Sequence, residues 1–428
     1  MVVEFAEPGH RHLLIGWALA ALRDPGRVRS AWRHHWIATC LFLLLMVWAG
    51  VQAVTWTPEA WHHPLWLEAG AALGTGLHGA VSLEPAAGAE TVMRLLSYGG
   101  VFWLALQYCR SARRARVLFQ AIAFSGFIYA AYGLAVTLGG NESILWYERW
   151  AYKHSLTSSF VNRNSFATYA GLALIASFVI LFAGGRREEA ANPFSRQGLM
   201  VMMDRFSHGG WVYGLIIAVT GAALILSHSR AGIAAAALGL MAFFAALAAG
   251  RRLVGKALGV YSGIVAVAAV LLILLAGQAA EGVDRSVAGE ERGVLFGYSV
   301  AAIEDYPLAG SGLGAWSEVF RLYRDETLIR AYQRAHSSYL EWASEMGLPA
   351  TILMVGTLLG LGAICFIGVR RRRNNQAYPA AGVAAGVLVA GHSVVDFSLQ
   401  IPAVSVVFAA MLGAACAQSR SSNEAEPY

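Results

Sequence analysis

Between Trp211 and Ala249 the chain is almost wholly apolar, and its one polar break is Ser227-His228-Ser229-Arg230. A single helix over that stretch, rising ~1.5 Å per residue, would be about twice as long as the ~30 Å hydrocarbon core of a bilayer is thick. The run must fold back on itself, which predicts two membrane-spanning helices with a bend at the polar tetrad. Comparable apolar runs recur along the sequence. Hydrophobic residues make up 57% and charged residues 14%, and the mean hydropathy is +0.52. That balance excludes a soluble fold, and 428 residues hold many spans. The sequence predicts an all-α polytopic membrane protein.

Charge sets the expected topology. A net charge of +6 and a pI near 9.2 would point to nucleic acid in a soluble protein. Here the basic residues fall in short clusters between apolar runs: Arg110 to Arg116, Arg186 to Arg205, Arg251 to Lys256 and Arg370 to Arg373. Such clusters mark the cytoplasmic side, and no nucleic-acid partner is expected. The segment from Thr55 to Glu90 has no Lys or Arg and four glutamates, which places it outside. Its apolar middle, Leu65 to Val81, reads as a re-entrant or interfacial piece. The alternation predicts about ten transmembrane helices, with a long periplasmic loop between the seventh and eighth. Residues 1–35 form a cytoplasmic or interfacial N-terminal segment, 36–277 carry helices one to seven, and 278–338 form the periplasmic loop with short helices. Residues 339–418 carry helices eight to ten, and 419–428 are a cytoplasmic tail.

The polar motifs that are not topology signals all map to the outer face. They are Asn162-Arg163-Asn164, the tetrad with Ser229 and Arg230, the stretch around His336 and Ser337, and His392 with Asp396. Ionisable groups at membrane depth are expensive, so each is a functional candidate. Each also has a plainer reading: Arg163 as a snorkelling side chain, His336 as a cap, Asp396 as the partner of an arginine. Ser338 and Glu341 have capping-box spacing, which predicts a helix starting there with His336 just outside it. The positive end of a helix disfavours imidazolium and attracts anions, so a histidine there stays neutral and able to accept a proton. The sequence has no metal-ligand spacing, and no metal or cofactor is expected.

Phe160-Val161-Asn162-Arg163-Asn164-Ser165-Phe166-Ala167, Ser227-His228-Ser229-Arg230-Ala231-Gly232, Pro307-Leu308-Ala309-Gly310-Ser311-Gly312-Leu313-Gly314 and the pattern from His336 to Gly347 resemble the O-antigen ligase and polymerase superfamily. The likeness runs over roughly residues 90 to 412. It implies a glycosyltransferase that moves a glycan from undecaprenyl diphosphate to a hydroxyl at the periplasmic face of the bacterial inner membrane. The acceptor is lipid A core for a ligase and the growing glycan for a polymerase. The resemblance implies that Arg230 and Arg163 hold the diphosphate while His336 serves the acceptor as catalytic base. Asn162, Asn164, Ser229, Ser337, His392 and Asp396 are the supporting candidates. Relatives often have Asn after the histidine, where this chain has Ser337, so orienting the imidazole falls to Ser337 or another group.

The residue chemistry is compatible with that implication. A guanidinium fork binds phosphate oxygens bidentately and stays charged, and a neutral histidine can take the acceptor proton. Direct displacement by one hydroxyl inverts the anomeric centre and needs no metal if guanidinium groups stabilise the leaving group. The rival from another class is a transporter or flippase of lipid-linked oligosaccharide. Such proteins place charges near the midplane and often show an internal repeat, whereas here the charges crowd one face.

Overall fold

In a bilayer the backbone finds no water, so apolar runs of this length satisfy their N–H and C=O groups internally as helices. The computed structural model describes residues 25–141, 143–183, 209–251, 284–326, 328 and 332–420. In chain order its helices are α1 (Pro25–Ala53), α2 (Leu65–Leu73), α3 (Pro85–Tyr108) and α4 (Ala112–Leu138). A small antiparallel hairpin follows, β1 (Ser143–Ile144) and β2 (Tyr147–Glu148), with Ser143 opposite Glu148 and Ile144 opposite Tyr147. Then come α5 (Arg163–Phe182), α6 (Trp211–Leu226), α7 (Arg230–Arg251), α8 (Asp284–Asp305) and α9 (Trp316–Tyr323). The series ends with α10 (Ser338–Met346), α11 (Leu348–Arg371), α12 (Ala377–His392) and α13 (Pro402–Ala417).

Among the described residues, five stretches are long and apolar enough to cross a membrane: Ala31–Ala53, Ala112–Leu138, Arg163–Phe182, Arg230–Gly250 and Leu348–Arg371. Three shorter apolar helices, α6, α12 and α13, accompany them. The protein is a mostly helical membrane protein of the all-α class. The long apolar run does split at the tetrad, with α6 ending at Leu226 and α7 starting at Arg230. The expected second span, Val92 to Tyr108, lies within α3, which starts earlier, at Pro85, and carries an exposed Glu90–Arg94 ion pair. The expected seventh span, Ala257 to Ala276, lies outside the described residues. Leu65 to Val81 holds only the nine-residue α2, too short to span. The expected periplasmic loop, 278–338, contains a longer helix than its composition suggests. The 22-residue α8 is held by packing rather than by composition, since Leu295 packs with Trp316 and Phe320.

The chain divides into two compact units. The first comprises residues 1–107, 291–335 and 339–360. One core there gathers Leu45, Met46, Ala49, Leu313, Met346, Ala350 and Met354. Gln52 of α1 is fully buried and fully used. Its amide nitrogen donates to the carbonyls of Ala309 at 2.6 Å and Glu345 at 2.8 Å, and its oxygen accepts from the Leu313 N–H at 3.2 Å. This explains the glycines of the 310–314 segment. A Cβ on Gly310 would lie 2.3 Å from the Glu345 carbonyl oxygen, and one on Gly312 would lie 2.0 Å from Ser82 Oγ, with φ positive at both. The segment is a close-packed brace on the end of α10.

The second unit comprises residues 108–290, 336–338 and 361–428. Its central helix is α5, which packs against α4, α6, α7, α12 and α13. Nearly all of α5 from Asn164 to Ile180 is buried. Close approach there rests on small residues, the usual device where lipid gives no hydrophobic drive between helices. A Cβ on Gly171 would meet Leu388 at 2.7 Å, and one on Gly232 would meet the Ala167 side chain at 2.4 Å. The second contact draws the first turns of α5 and α7 together.

Candidate active site

Arg163 and Arg230 are the first residues of α5 and α7. A helix start carries partial positive charge from unpaired N–H groups, so a cation there is disfavoured and an anion is favoured. Two helices of one unit thus begin with the residue least suited to that position for stability. Asn162 caps α5, its side-chain oxygen accepting from the Asn164 N–H at 2.8 Å. The Arg163 guanidinium lies over the Tyr152 ring, 5.1 Å from its centroid, and Nη1 reaches Ser155 Oγ at 3.5 Å. Arg230 is exposed and has no ion pair among the described residues.

Asn164 joins three of the motifs. Its side-chain oxygen accepts from Ser229 Oγ at 2.8 Å, which fixes the amide so that Nδ2 points the other way and donates to Asp396 Oδ1 at 3.1 Å. Asp396 is wholly buried, and its second oxygen takes the Ser398 hydroxyl. Thr168, one turn after Asn164, places its hydroxyl 2.6 Å from His392 Nδ1, 2.8 Å from Ser398 Oγ and 3.1 Å from the Asn164 carbonyl. Ser229 Oγ also lies 3.2 Å from the Gly232 N–H, capping the first turn of α7. The network is buried and densely paired, so its members have little freedom.

The histidine motif attaches to the same network through the backbone. The Ser338 N–H reaches the carbonyls of Ser393 at 2.9 Å and Asp396 at 3.2 Å. Its hydroxyl lies 3.2 Å from both the Asp396 carbonyl and Gln400 Oε1. The helix does start at Ser338, as the capping-box spacing predicts. Ser337 is buried, its hydroxyl directed towards the Ser393 carbonyl at 3.5 Å. The His336 ring meets the edge of Phe397, with centroids 5.0 Å apart. Six of the seven non-glycine residues with positive φ among the described residues lie in these loops: Leu145, Tyr152, Ser158, Val161, His228 and His336. Each such conformation costs on the order of 1–3 kcal/mol and persists only where surrounding packing enforces it.

Within this unit, therefore, the fold brings together Asn162, Arg163, Asn164, Ser229, Arg230, His336, Ser337, His392 and Asp396. Sequence reasoning missed Thr168, Ser398 and Ser338 as members of the network. Thr168 had a usable signal, since a polar residue four places after Asn164 in an apolar helix shares its face. His228 also belongs to the neighbourhood. Burial holds its pKa below the ordinary value and the nearby Arg163 charge lowers it further, while a hydrogen bond to the His154 carbonyl opposes them. Among the described residues no three His, Cys, Asp or Glu side chains converge as metal ligands.

In the first unit, Glu341 and Glu345 form a separate buried pair. Glu341 accepts from Arg334 Nη1 at 2.8 Å and from the Ala335 N–H at 3.1 Å. Glu345 accepts from the Trp316 N–H at 3.2 Å. Burial, with the Glu341 charge beside it, pushes the Glu345 carboxyl up to about 8. These carboxylates brace the loops around α10.

No curated protein matches the chain. Residues 215–355 match the family described as O-antigen ligase, a segment that holds Ser229, Arg230, His336 and Ser337. That match, together with the Phe160 to Ala167 motif before it, supports the O-antigen ligase and polymerase superfamily as the family to which this chain is similar.

Proposed function

We propose that the protein is a membrane glycosyltransferase of the O-antigen ligase type. It transfers a glycan from undecaprenyl diphosphate to an acceptor hydroxyl, on lipid A core or a surface polysaccharide, at the periplasmic face of the inner membrane. The observation that carries this reading is the Asn164 side chain bridging Ser229 and Asp396. It ties the starts of two arginine-led helices to the segment that holds the residue after Ser337. Arg163 and Arg230 bind the diphosphate, aided by the helix starts on which they sit. The acceptor oxygen attacks the anomeric carbon as the bond to the diphosphate oxygen breaks and its electron pair leaves with the diphosphate. His336 takes the hydroxyl proton, and the configuration inverts. Guanidinium groups stabilise the leaving charge, so the step runs without a metal.

The test is transfer by the purified protein in detergent, given an undecaprenyl diphosphate-linked glycan and an acceptor. Product on the acceptor is expected. Failure to form product, with movement of the intact lipid-linked donor across vesicle membranes instead, would make the protein a transporter. Glycolipids from a deletion strain then separate the two transferase types. Long chains left on the lipid carrier indicate a ligase, and single repeat units indicate a polymerase.

A further inference from the structure

The loop leading into α5 carries a second arginine that this chemistry does not use. Arg149 directly follows β2 and is buried to 4% exposure. Its Nη1 donates to the Ser155 carbonyl at 3.0 Å, and Nη2 donates to the Lys153 carbonyl. No carboxylate pairs with it among the described residues, and its Nε is buried with no hydrogen-bond partner there. A buried cation without a paired carboxylate among the described residues is costly, which points to a structural task for the side chain.

What it fixes lies between the two ends of the clamp. Tyr152 sits inside the segment bracketed by Arg149 and Ser155, with φ at 52°, a conformation a tyrosine does not hold unaided. Its ring lies beneath the Arg163 guanidinium, and the Ser155 hydroxyl faces Arg163 Nη1. Ser155 thus serves both arginines, its carbonyl taking Arg149 and its hydroxyl taking Arg163. The planar fork of arginine spans two carbonyls in a fixed geometry, which the single ammonium of lysine does not reproduce.

We propose that Arg149 is a positioning residue for Arg163. By locking residues 149–155 it sets the Tyr152 ring and the Ser155 hydroxyl, and these orient the Arg163 guanidinium towards the donor's diphosphate. The inference rests on the reading of Arg163 as a diphosphate-binding residue.

The experiment measures binding of undecaprenyl diphosphate to the full-length protein in lipid nanodiscs, for Arg149→Lys, Arg163→Lys and the double variant. Alone, Arg149→Lys is expected to weaken binding about tenfold, and in the Arg163→Lys background to weaken it no further, the non-additivity of residues acting through one another. Tyr152→Leu, which leaves the clamp in place and removes only the ring, should show the same coupling to Arg163→Lys. It also serves as the test if Arg149→Lys fails to fold. If Arg149→Lys or Tyr152→Leu binds normally while Arg163→Lys binds weakly, the positioning role falls and the diphosphate reading stands. If Arg163→Lys itself binds normally, the diphosphate reading falls and the inference with it. Equal weakening by Arg149→Lys in both backgrounds would mean that Arg149 acts on the ligand or the fold directly, which also overturns the proposal.

Discussion

Asn164 donates its side-chain amide to Asp396 at 3.1 Å, across 232 residues of sequence, with both side chains buried. Because the Asn164 oxygen is already taken by Ser229, the amide cannot turn round without breaking that bond. Asp396 is therefore the acceptor that the arrangement needs, and it is completely buried. Under the proposed function this gives it an organising role in the site.

Replacing Asp396 with Ala strips the partner from Asn164 Nδ2 and Ser398. Leaving such groups buried and unpaired costs about 1–3 kcal/mol each. Asp396→Ala should lower the thermal unfolding temperature of the purified protein and its transfer activity together. Asp396→Asn, which keeps one acceptor oxygen, should lose less of both. An Ala variant as stable and active as the parent would remove Asp396 from the network.

Arg230 is exposed at the start of α7, so changing it should leave the fold intact. Arg230→Lys keeps the charge and loses the fork. Giving up one charge-assisted hydrogen bond predicts roughly a 10- to 100-fold fall in kcat/KM for the lipid-linked donor. Unchanged kinetics in this variant would take Arg230 out of the diphosphate site.

For His336, general-base catalysis predicts that Ala lowers turnover by roughly 10²- to 10⁴-fold while the arginines still bind the donor. The acid limb of the pH–rate profile, set by protonation of the imidazole, should disappear with it. A variant that turns over near normally, or that keeps the acid limb, would return His336 to a structural role.

Glu345 gives a pH signature separate from catalysis. Its carboxyl is raised from 4.5 to about 8 by burial and the neighbouring Glu341 charge. Between those values the folded state holds a proton that the unfolded state has released, so stability is present below the unfolded pKa and is lost as pH rises towards the folded one. Glu345→Gln imitates the protonated acid. Its advantage in thermal unfolding should therefore grow from about pH 5 to about pH 8 and then level off. Parallel stability curves would mean that the carboxyl ionises normally.

The proposed orientation predicts that cysteines placed beside Arg163, Arg230 and His336 all react with a membrane-impermeant thiol reagent added from outside. Labelling of any one of the three from the cytoplasmic side alone would break the shared-face arrangement.

Local pattern was enough to place most helices. Apolar length required the break at Ser227 to Arg230, and turn chemistry placed the start of α10 at Ser338. Bilayer thickness decides the first within a few residues, and the Ser338–Glu341 spacing signals the second. In the structure, however, Ser338 bonds to Ser393, Asp396 and Gln400, and Glu341 to Arg334 and Ala335. The four polar motifs were equally visible, because a charge in an apolar chain needs no structure to stand out. Only the tertiary structure decided which of them meet. The Asn164–Asp396 bond depends on α5, α7 and α12 approaching at Gly171 and Gly232, a contact set by packing and carrying no sequence spacing of its own. The length of α8 was hidden for the same reason, since its apolar side is satisfied by Trp316 and Phe320 rather than by its own composition. Arg149 gave no signal at all. In the sequence it is one more arginine near an interface, and only burial with both Nη groups on loop carbonyls distinguishes it from a snorkelling one.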